Sequence, residues 1–304
     1  MEPISSFKEA TIKNYYLEMQ HSLLLLEAAN KAPYYDSKLD QLNKKNYYTN
    51  IRVGTSNKSD LYMQLSEQLN KTHKTKLGYN DARYKHLYPN VDLQPNQKLK
   101  SIYSGKEFTP GTIIRSDFEI FKRIINTVND KLSGNKEFSE AGFSKFLATL
   151  EADATYNTEH VIPQSWFAKK DPMKGDLHHL FTCEILCNEF RANTPFFDFP
   201  DFNELTRIGC GKKEENKFEP SRGHGPVARA TLYFLLRYPK YINNNSREYT
   251  KDRIPVLLKW HKNEAVSLYE LHRNAEIFKV QGNRNPLIDH PEWSDKINFI
   301  SGLG

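Results

Sequence analysis

Apolar side chains recur at close to helical spacing over most of the chain. Ile12, Tyr15, Tyr16, Met19, Leu23 and Leu26 line one face of a helix predicted from Ser6 to Ala29. The Pro33–Asp36 segment ends it, and the Asn-, Lys- and Tyr-rich stretch as far as Asn50 reads as a loop. Ser59 to Asn70 predicts a helix with an N-cap, and Phe118 to Leu132 a second amphipathic helix closed by Ser133–Gly134. The region between these two carries no clear periodicity. Phe138 to Leu150 is a further helical candidate.

The pattern changes at Tyr156 to Ile162, a short β-prone run that stops at Pro163. In Asp176 to Asn193 the second half predicts a helix capped near Thr182 and ended by Pro195. Asp198 to Arg222 reads as a loop rich in Gly and charge. Pro226 then opens a strongly apolar helix, VARATLYFLLRY, which Pro239 closes. Leu257 to Asn263 and Val266 to Val280 form a helical pair before the loop Gly282–Pro286. Strand signal is sparse, so the expected class is α+β and mainly helical, with no internal repeat or interdomain linker.

Composition narrows this picture only modestly. A 38% hydrophobic fraction is low, but 17 Tyr and 18 Phe are too many for a disordered chain. The net charge of +6 draws polyanions to the surface, weakly. No apolar run approaches the roughly 20 residues of a membrane span, and the longest, Leu23 to Leu26, sits within the first helix. The expectation is a soluble protein without membrane contact. The start, Met-Glu-Pro-Ile-Ser-Ser, has no basic and apolar leader pattern, so the chain as written is expected inside the cell, or with a leader already removed. Cys183, Cys187 and Cys210 are too few for a disulfide framework. Ordinary buried thiols are favoured over a zinc site that these residues would form with His224.

Metal-capable and titratable side chains are densest between Glu159 and Arg191. Hydrolysis of a phosphodiester needs a water, a base to deprotonate it, and positive charge against the charge that builds up on the phosphate. His160 suits the base, being an imidazole that is neutral near physiological pH. Glu159 offers a hard oxygen to Mg²⁺. In a flat strand these neighbours face opposite ways, so a joint site must lie at the strand's end or at a bend. Asn188 and Arg191, three apart on a helix, share a face; Asn188 can complete a metal site, and Arg191 can grip a phosphate or pair with an acid. Bland readings stand beside these. His178 and His179 fit hydrogen-bonded structural histidines, Arg191 a C-terminal helix cap, and Trp166, Phe181, Phe190, Phe196 and Phe197 core aromatics.

Several blocks together resemble the bacterial endonuclease I family of ββα-metal nucleases. They are Tyr34–Tyr35–Asp36, Ile102–Gly105, TEHVIPQSWF at 158–167, DLHHL at 176–180 with Asn188, Arg191 and Asn193 beyond it, FEP at 218–220, VARATLYFLLRY, LLKWH at 257–261 and QGNRNPLIDHPEW at 281–293. The resemblance implies a ββα-metal motif at about 155–195, embedded in a single helical domain from 34 to 304, with residues 1–33 as an N-terminal helical extension. It places the general base on His160 and the metal ligands on Glu159 and Asn188. Arg191 becomes the candidate phosphate contact, because Phe167 to Gly175 holds only lysines where some relatives carry an arginine. Asp176, His178, His179 and Asn193 are expected to bind substrate or to support the site.

The implied activity is Mg²⁺-dependent cleavage of DNA, and of RNA in many relatives, with 5′-phosphate products, Mn²⁺ or Ca²⁺ as substitute ions, and a monomer favoured. Relatives are commonly exported. Two alternatives are a catalytically silent nucleic-acid-binding protein and a zinc-stabilised effector module; intact Glu159, His160 and Asn188 argue against the first.

Overall fold

A computed structural model describes residues 4–54, 57–133, 156–202 and 209–304. The helix predicted at 138–150 lies outside the described residues. Helix α1 (Ile4–Lys31) agrees with its pattern and packs along α4 (Pro110–Ser133), where Tyr15 stacks on Phe121 with ring centroids 3.4 Å apart. The stretch expected as a loop before Asn50 is instead helix α2 (Ser37–Tyr47), started by the Asp36 carboxylate, which accepts from the Lys38 and Leu39 amides. Helix α3 (Lys58–Thr72) is capped in the same way by Asn57.

The region without periodicity holds a π-helical segment, Ala82–Val91, and a small antiparallel pair, β1 (Leu99–Lys100) with β2 (Glu107–Phe108). A pitch wider than the α-helix explains why the 3.6-residue template missed the first of these.

In the middle of the chain the β-prone run and the helix within 176–193 both form, with a strand between them that the local pattern did not show. Strand β3 (Tyr156–His160) pairs antiparallel with β4 (Leu180–Glu184), and helix α5 (Ile185–Arg191) follows β4 without a loop. Thr182 is therefore a strand residue and not a helix cap. Its amide donates to the Asp92 carboxylate at 2.6 Å, while its carbonyl accepts from Ile102; both lie on the edge of β4 away from β3, and these non-local partners override the local helical pattern. Within the stretch expected as a loop after Asp198 lies a hairpin, β5 (Gly211–Glu214) with β6 (Lys217–Pro220). Cys187 and Cys210 form a disulfide, which corrects the expectation of free thiols and ties α5 to the residue before β5; Cys183 remains a buried thiol.

Helix α6 (His224–Arg237) starts two residues earlier than Pro226 and runs through the largest hydrophobic cluster. It is buried on all sides, as a central helix is, and its Arg229 is paired with Glu270. Helices α7 (Ile254–Asn263), α8 (Leu268–Gln281) and α9 (Pro286–Asp289) surround it. A second cluster contains Leu26, Leu87, Tyr88, Ile113, Leu177 and Leu180. The result is the mainly helical α+β class expected, and among the described residues no helix is long and apolar enough to cross a membrane.

Charges inside are paired. Arg284 donates to both oxygens of Asp289, at 2.8 and 2.7 Å, and to Asp40 at 2.8 Å, while the Tyr48 hydroxyl also binds Asp289. Stripping one partner from a buried ion pair leaves a charge without water or counter-ion. Asp289→Ala is therefore expected to cost about 3–5 kcal/mol, read as a lower urea midpoint; an unchanged midpoint would show that Asp40 alone suffices.

Candidate nuclease site

The β3–β4 hairpin is two-faced because strand side chains alternate. Cross-strand register pairs Glu159 with Phe181 and Asn157 with Cys183 on one face, and His160 with Leu180 and Thr158 with Thr182 on the other. Phe181 and Cys183 belong to the α6 cluster and Leu180 to the second one. The hairpin is thus a partition between two cores, and Glu159 and His160 point to different sides of it.

On the first face, Glu159 is almost fully buried, and its Oε1 accepts from Arg191 Nη1 at 2.9 Å and from the Tyr103 hydroxyl at 2.6 Å. Burial pushes its carboxyl pKa up, against the pull of Arg191 and Tyr103. Arg191 spends its remaining donors on backbone carbonyls: Nη1 on His160 at 3.1 Å, Nη2 on Val161 at 2.8 Å and Nε on Thr194 at 3.0 Å. It is as buried as Glu159. The place this gives Arg191 is behind the carboxylate, locking α5 to the end of β3.

Asn188 shares the α5 face with Arg191, as the three-residue spacing required. Its amide nitrogen donates to Asn157 Oδ1 at 2.6 Å and lies 3.5 Å from the Thr158 carbonyl. Asn188 and Asn157 are half-buried. Among the described residues these bonds leave the Asn188 amide oxygen on α5 and Glu159 Oε2 on β3 without a protein donor, two hard oxygens from neighbouring elements. Such a donor set fits Mg²⁺, which keeps water and phosphate oxygens in its other positions. Cys187 and Cys210, by contrast, have spent on each other two of the sulfurs that a structural zinc would need.

On the second face, His160 Nε2 lies 2.9 Å from the Lys174 carbonyl, which can only accept, so Nε2 carries the proton. Nδ1 then holds the lone pair and takes a hydrogen bond from the Gln164 amide at 3.2 Å. Burial, and after it the neighbouring His179 ring, pushes the His160 pKa down to about 3, keeping the imidazole neutral. Tyr79 flanks it, with ring centroids 5.1 Å apart. His160 is the last residue of β3, the strand-end position that a joint site with Glu159 demands.

Asp176 and its neighbours support the turn that carries the Lys174 carbonyl. Asp176 accepts from Tyr233, Tyr238, Gln281 and the His178 amide. His179 Nε2 donates to the Met173 carbonyl at 2.6 Å, and His178 Nε2 to that of Asn283 at 3.3 Å. Asp176, His178 and His179 are buried and hydrogen-bonded, whereas Asn193 is exposed just beyond α5. Among the aromatics weighed as core, Phe181 and Phe196 are buried, and Trp166 and Phe190 pack half-buried against the α6 cluster. Tyr103, Gln164 and Asn157 were not anticipated as site residues. Gln164 lies four residues beyond His160, across Pro163, where no periodicity applies.

Two antiparallel strands leading straight into a helix, with an acid and a neutral imidazole at the end of the first strand and an amide on the helix, form a ββα unit. A family model described as Endonuclease I matches residues 34–292, and the chain belongs to the endonuclease I family. It is similar to an extracellular ribonuclease of Bacillus amyloliquefaciens, 32% identical over 157 residues that cover 47% of this chain and 53% of the relative. Its likeness to an extracellular ribonuclease of Bacillus subtilis (strain 168) has the same identity and covers 54% of that protein. A periplasmic deoxyribonuclease of Aeromonas hydrophila is 28% identical over 186 residues, or 53% of this chain and 75% of that one. The chain spans about half the length of the two Bacillus ribonucleases.

The buried histidines predict a pH dependence of stability. Burial pushes His178 down to about 4 and lowers His179 and His73 too. In the unfolded chain each titrates near 6.5, so between about pH 6.5 and 4 the unfolded state binds more protons and gains on the native one. The His178 contribution to stability is whole above that window, falls across it and is constant below it. Urea midpoints are expected to drop from pH 7 to pH 5, with a shallower drop in His178→Gln; parallel slopes for the two proteins would contradict this.

Proposed function

We propose that the chain is a divalent-metal-dependent endonuclease that cleaves DNA, and RNA as well, with little sequence preference and leaves 5′-phosphate ends. The feature that supports this reading is the ββα unit itself, with Glu159 and His160 adjacent at the end of β3 and Asn188 on the helix that follows β4, each with fixed hydrogen-bond partners. Family membership supports it, as do relatives that include both an extracellular ribonuclease and a periplasmic deoxyribonuclease.

Glu159 and Asn188 would hold the cation, Mg²⁺ by the hardness of their oxygens, with Mn²⁺ or Ca²⁺ as substitutes. A cation bound there supplies positive charge to a phosphate oxygen. Because Glu159 and His160 lie on opposite faces, the scissile phosphate has to sit at the end of β3, within reach of both. His160 Nδ1 takes the proton of the attacking water. The Lys174 carbonyl fixes the tautomer that makes this possible, and Gln164, which donates to Nδ1 in the free protein, hands its place to the water. Arg191 acts through Glu159 as a positioning residue. Asp176, His178 and His179 hold the Lys174 turn, and Asn193 stands exposed where a strand could touch it.

His160→Ala is expected to reduce plasmid nicking in Mg²⁺ by about 10²–10⁴-fold, the usual worth of a positioned base, while DNA affinity stays within a few fold. EDTA should abolish wild-type nicking and added Mg²⁺ restore it. Full activity in the variant, or in EDTA, would remove His160 or the metal from the reaction. A cleavage map of mixed-sequence DNA is expected to show breaks throughout, since phosphate contacts carry no sequence information; one dominant site would contradict this.

A further inference from the structure

A cavity of about 350 Å³ lies between the β1–β2 turn, the start of α6 and the connection from α7 to α8. Lys100 and Arg222 line it, and neither is paired with a carboxylate among the described residues. Two glycines shape the wall. A Cβ on Gly105, whose φ is +76°, would meet Arg222 Cδ at 2.5 Å, and one on Gly223, also at φ +76°, would meet the Ile102 carbonyl at 2.6 Å. Side chains there would fill the space across which Arg222 lies. The carboxylate in the lining, Glu264, accepts the Gly225 amide at 2.7 Å and so caps the start of α6. The lining thus carries two cations against the one carboxylate of Glu264, beside the apolar surface of Pro226 and the half-buried Tyr269 ring.

The cavity adjoins the candidate site through one stretch of backbone. Ile102 lines the cavity and hydrogen-bonds the Thr182 carbonyl of β4, and the next residue, Tyr103, reaches through to Glu159. Through these two residues the cavity and the candidate site share one segment, which packs against β4.

We propose that the cavity is a second phosphate subsite, in which Lys100 and Arg222 hold a phosphodiester of the nucleic-acid strand remote from the one being cut. The proposal rests on the nuclease reading. Its ligand is a single-stranded segment, whose sugars and bases can lie on Pro226 and Tyr269 while the two cations take the phosphate. Each such cation displaces counter-ions from the strand, so its removal should flatten the salt dependence of binding without altering sequence preference.

The test is equilibrium binding of labelled single strands of increasing length to the whole protein in EDTA, where no cleavage occurs, across a salt series. Wild-type affinity is expected to step up once the strand is long enough to reach the cavity. Lys100→Gln with Arg222→Gln should remove that step and reduce the salt slope by about one per cation lost. Arg222→Gln alone, a change at an exposed residue, should give half the effect and guards against misfolding of the pair. An unchanged slope and length dependence in the variants would overturn the subsite. So would displacement of the strand by polyglutamate of matched charge, which would mark a site for acidic peptides. Wild-type plasmid cleavage in Mg²⁺, measured alongside, separates failure of the subsite from failure of the nuclease reading.

Discussion

The guanidinium of Arg191 closes the end of β3. A strand that stops leaves carbonyls without a ladder partner, and burying these unpaired is costly. Arg191 supplies donors to the carbonyls of His160, Val161 and Thr194 and neutralises Glu159 at the same time. Neither half of the ion pair tolerates loss of the other, because both are sealed from water. The short helix α5 is fixed to the strand by this one side chain, and Asn188, one turn earlier, inherits its position from it. The disulfide from Cys187 pins the same helix from its other side.

From that fixed point the two faces of the hairpin diverge. The Glu159 face meets the α6 cluster and the Tyr103 hydroxyl; the His160 face meets Tyr79, His179 and the Lys174 turn. Alternation along a strand is strict, so the neighbours Glu159 and His160 cannot share a face without a bulge, and the regular register of β3 with β4 shows none. The strand end resolves the conflict. Its last residue can serve a reaction centre beyond the sheet while its predecessor serves the same centre from the other side.

How far the sequence reveals all this depends on how local each feature is. Helices α1, α3, α6, α7 and α8 were legible because an amphipathic or wholly apolar pattern is written within one element. The start of α5 was set too early, near Thr182, because the outer edge of β4 there is satisfied by Asp92 and Ile102, some eighty to ninety residues away, which no window contains. Glu159, His160, Asn188 and Arg191 were found as chemistry before they could be placed. Tyr103 and Gln164 were not, since a tyrosine that holds a carboxylate and a glutamine that caps an imidazole have the same local signature as any other. The cysteines were misjudged for a related reason: three in a chain make no framework, yet a single bridge needs only that Cys187 and Cys210 meet in space.

The placement of arginines bears on where a phosphate can be held. Arg191, Arg229, Arg273 and Arg284 are buried and face Glu159, Glu270, Asp92 and Asp289 respectively. Each pair is neutral, so the net charge of +6 is carried entirely by the remaining residues. A buried guanidinium with its donors committed to a carboxylate and to backbone carbonyls cannot also turn outward to a strand. If a strand binds as proposed, its phosphates fall to cations outside the core, such as the exposed Lys169 and Lys170 between His160 and the Lys174 turn, and Lys100 and Arg222 in the cavity. The modest charge excess is thereby carried by residues outside these neutral pairs.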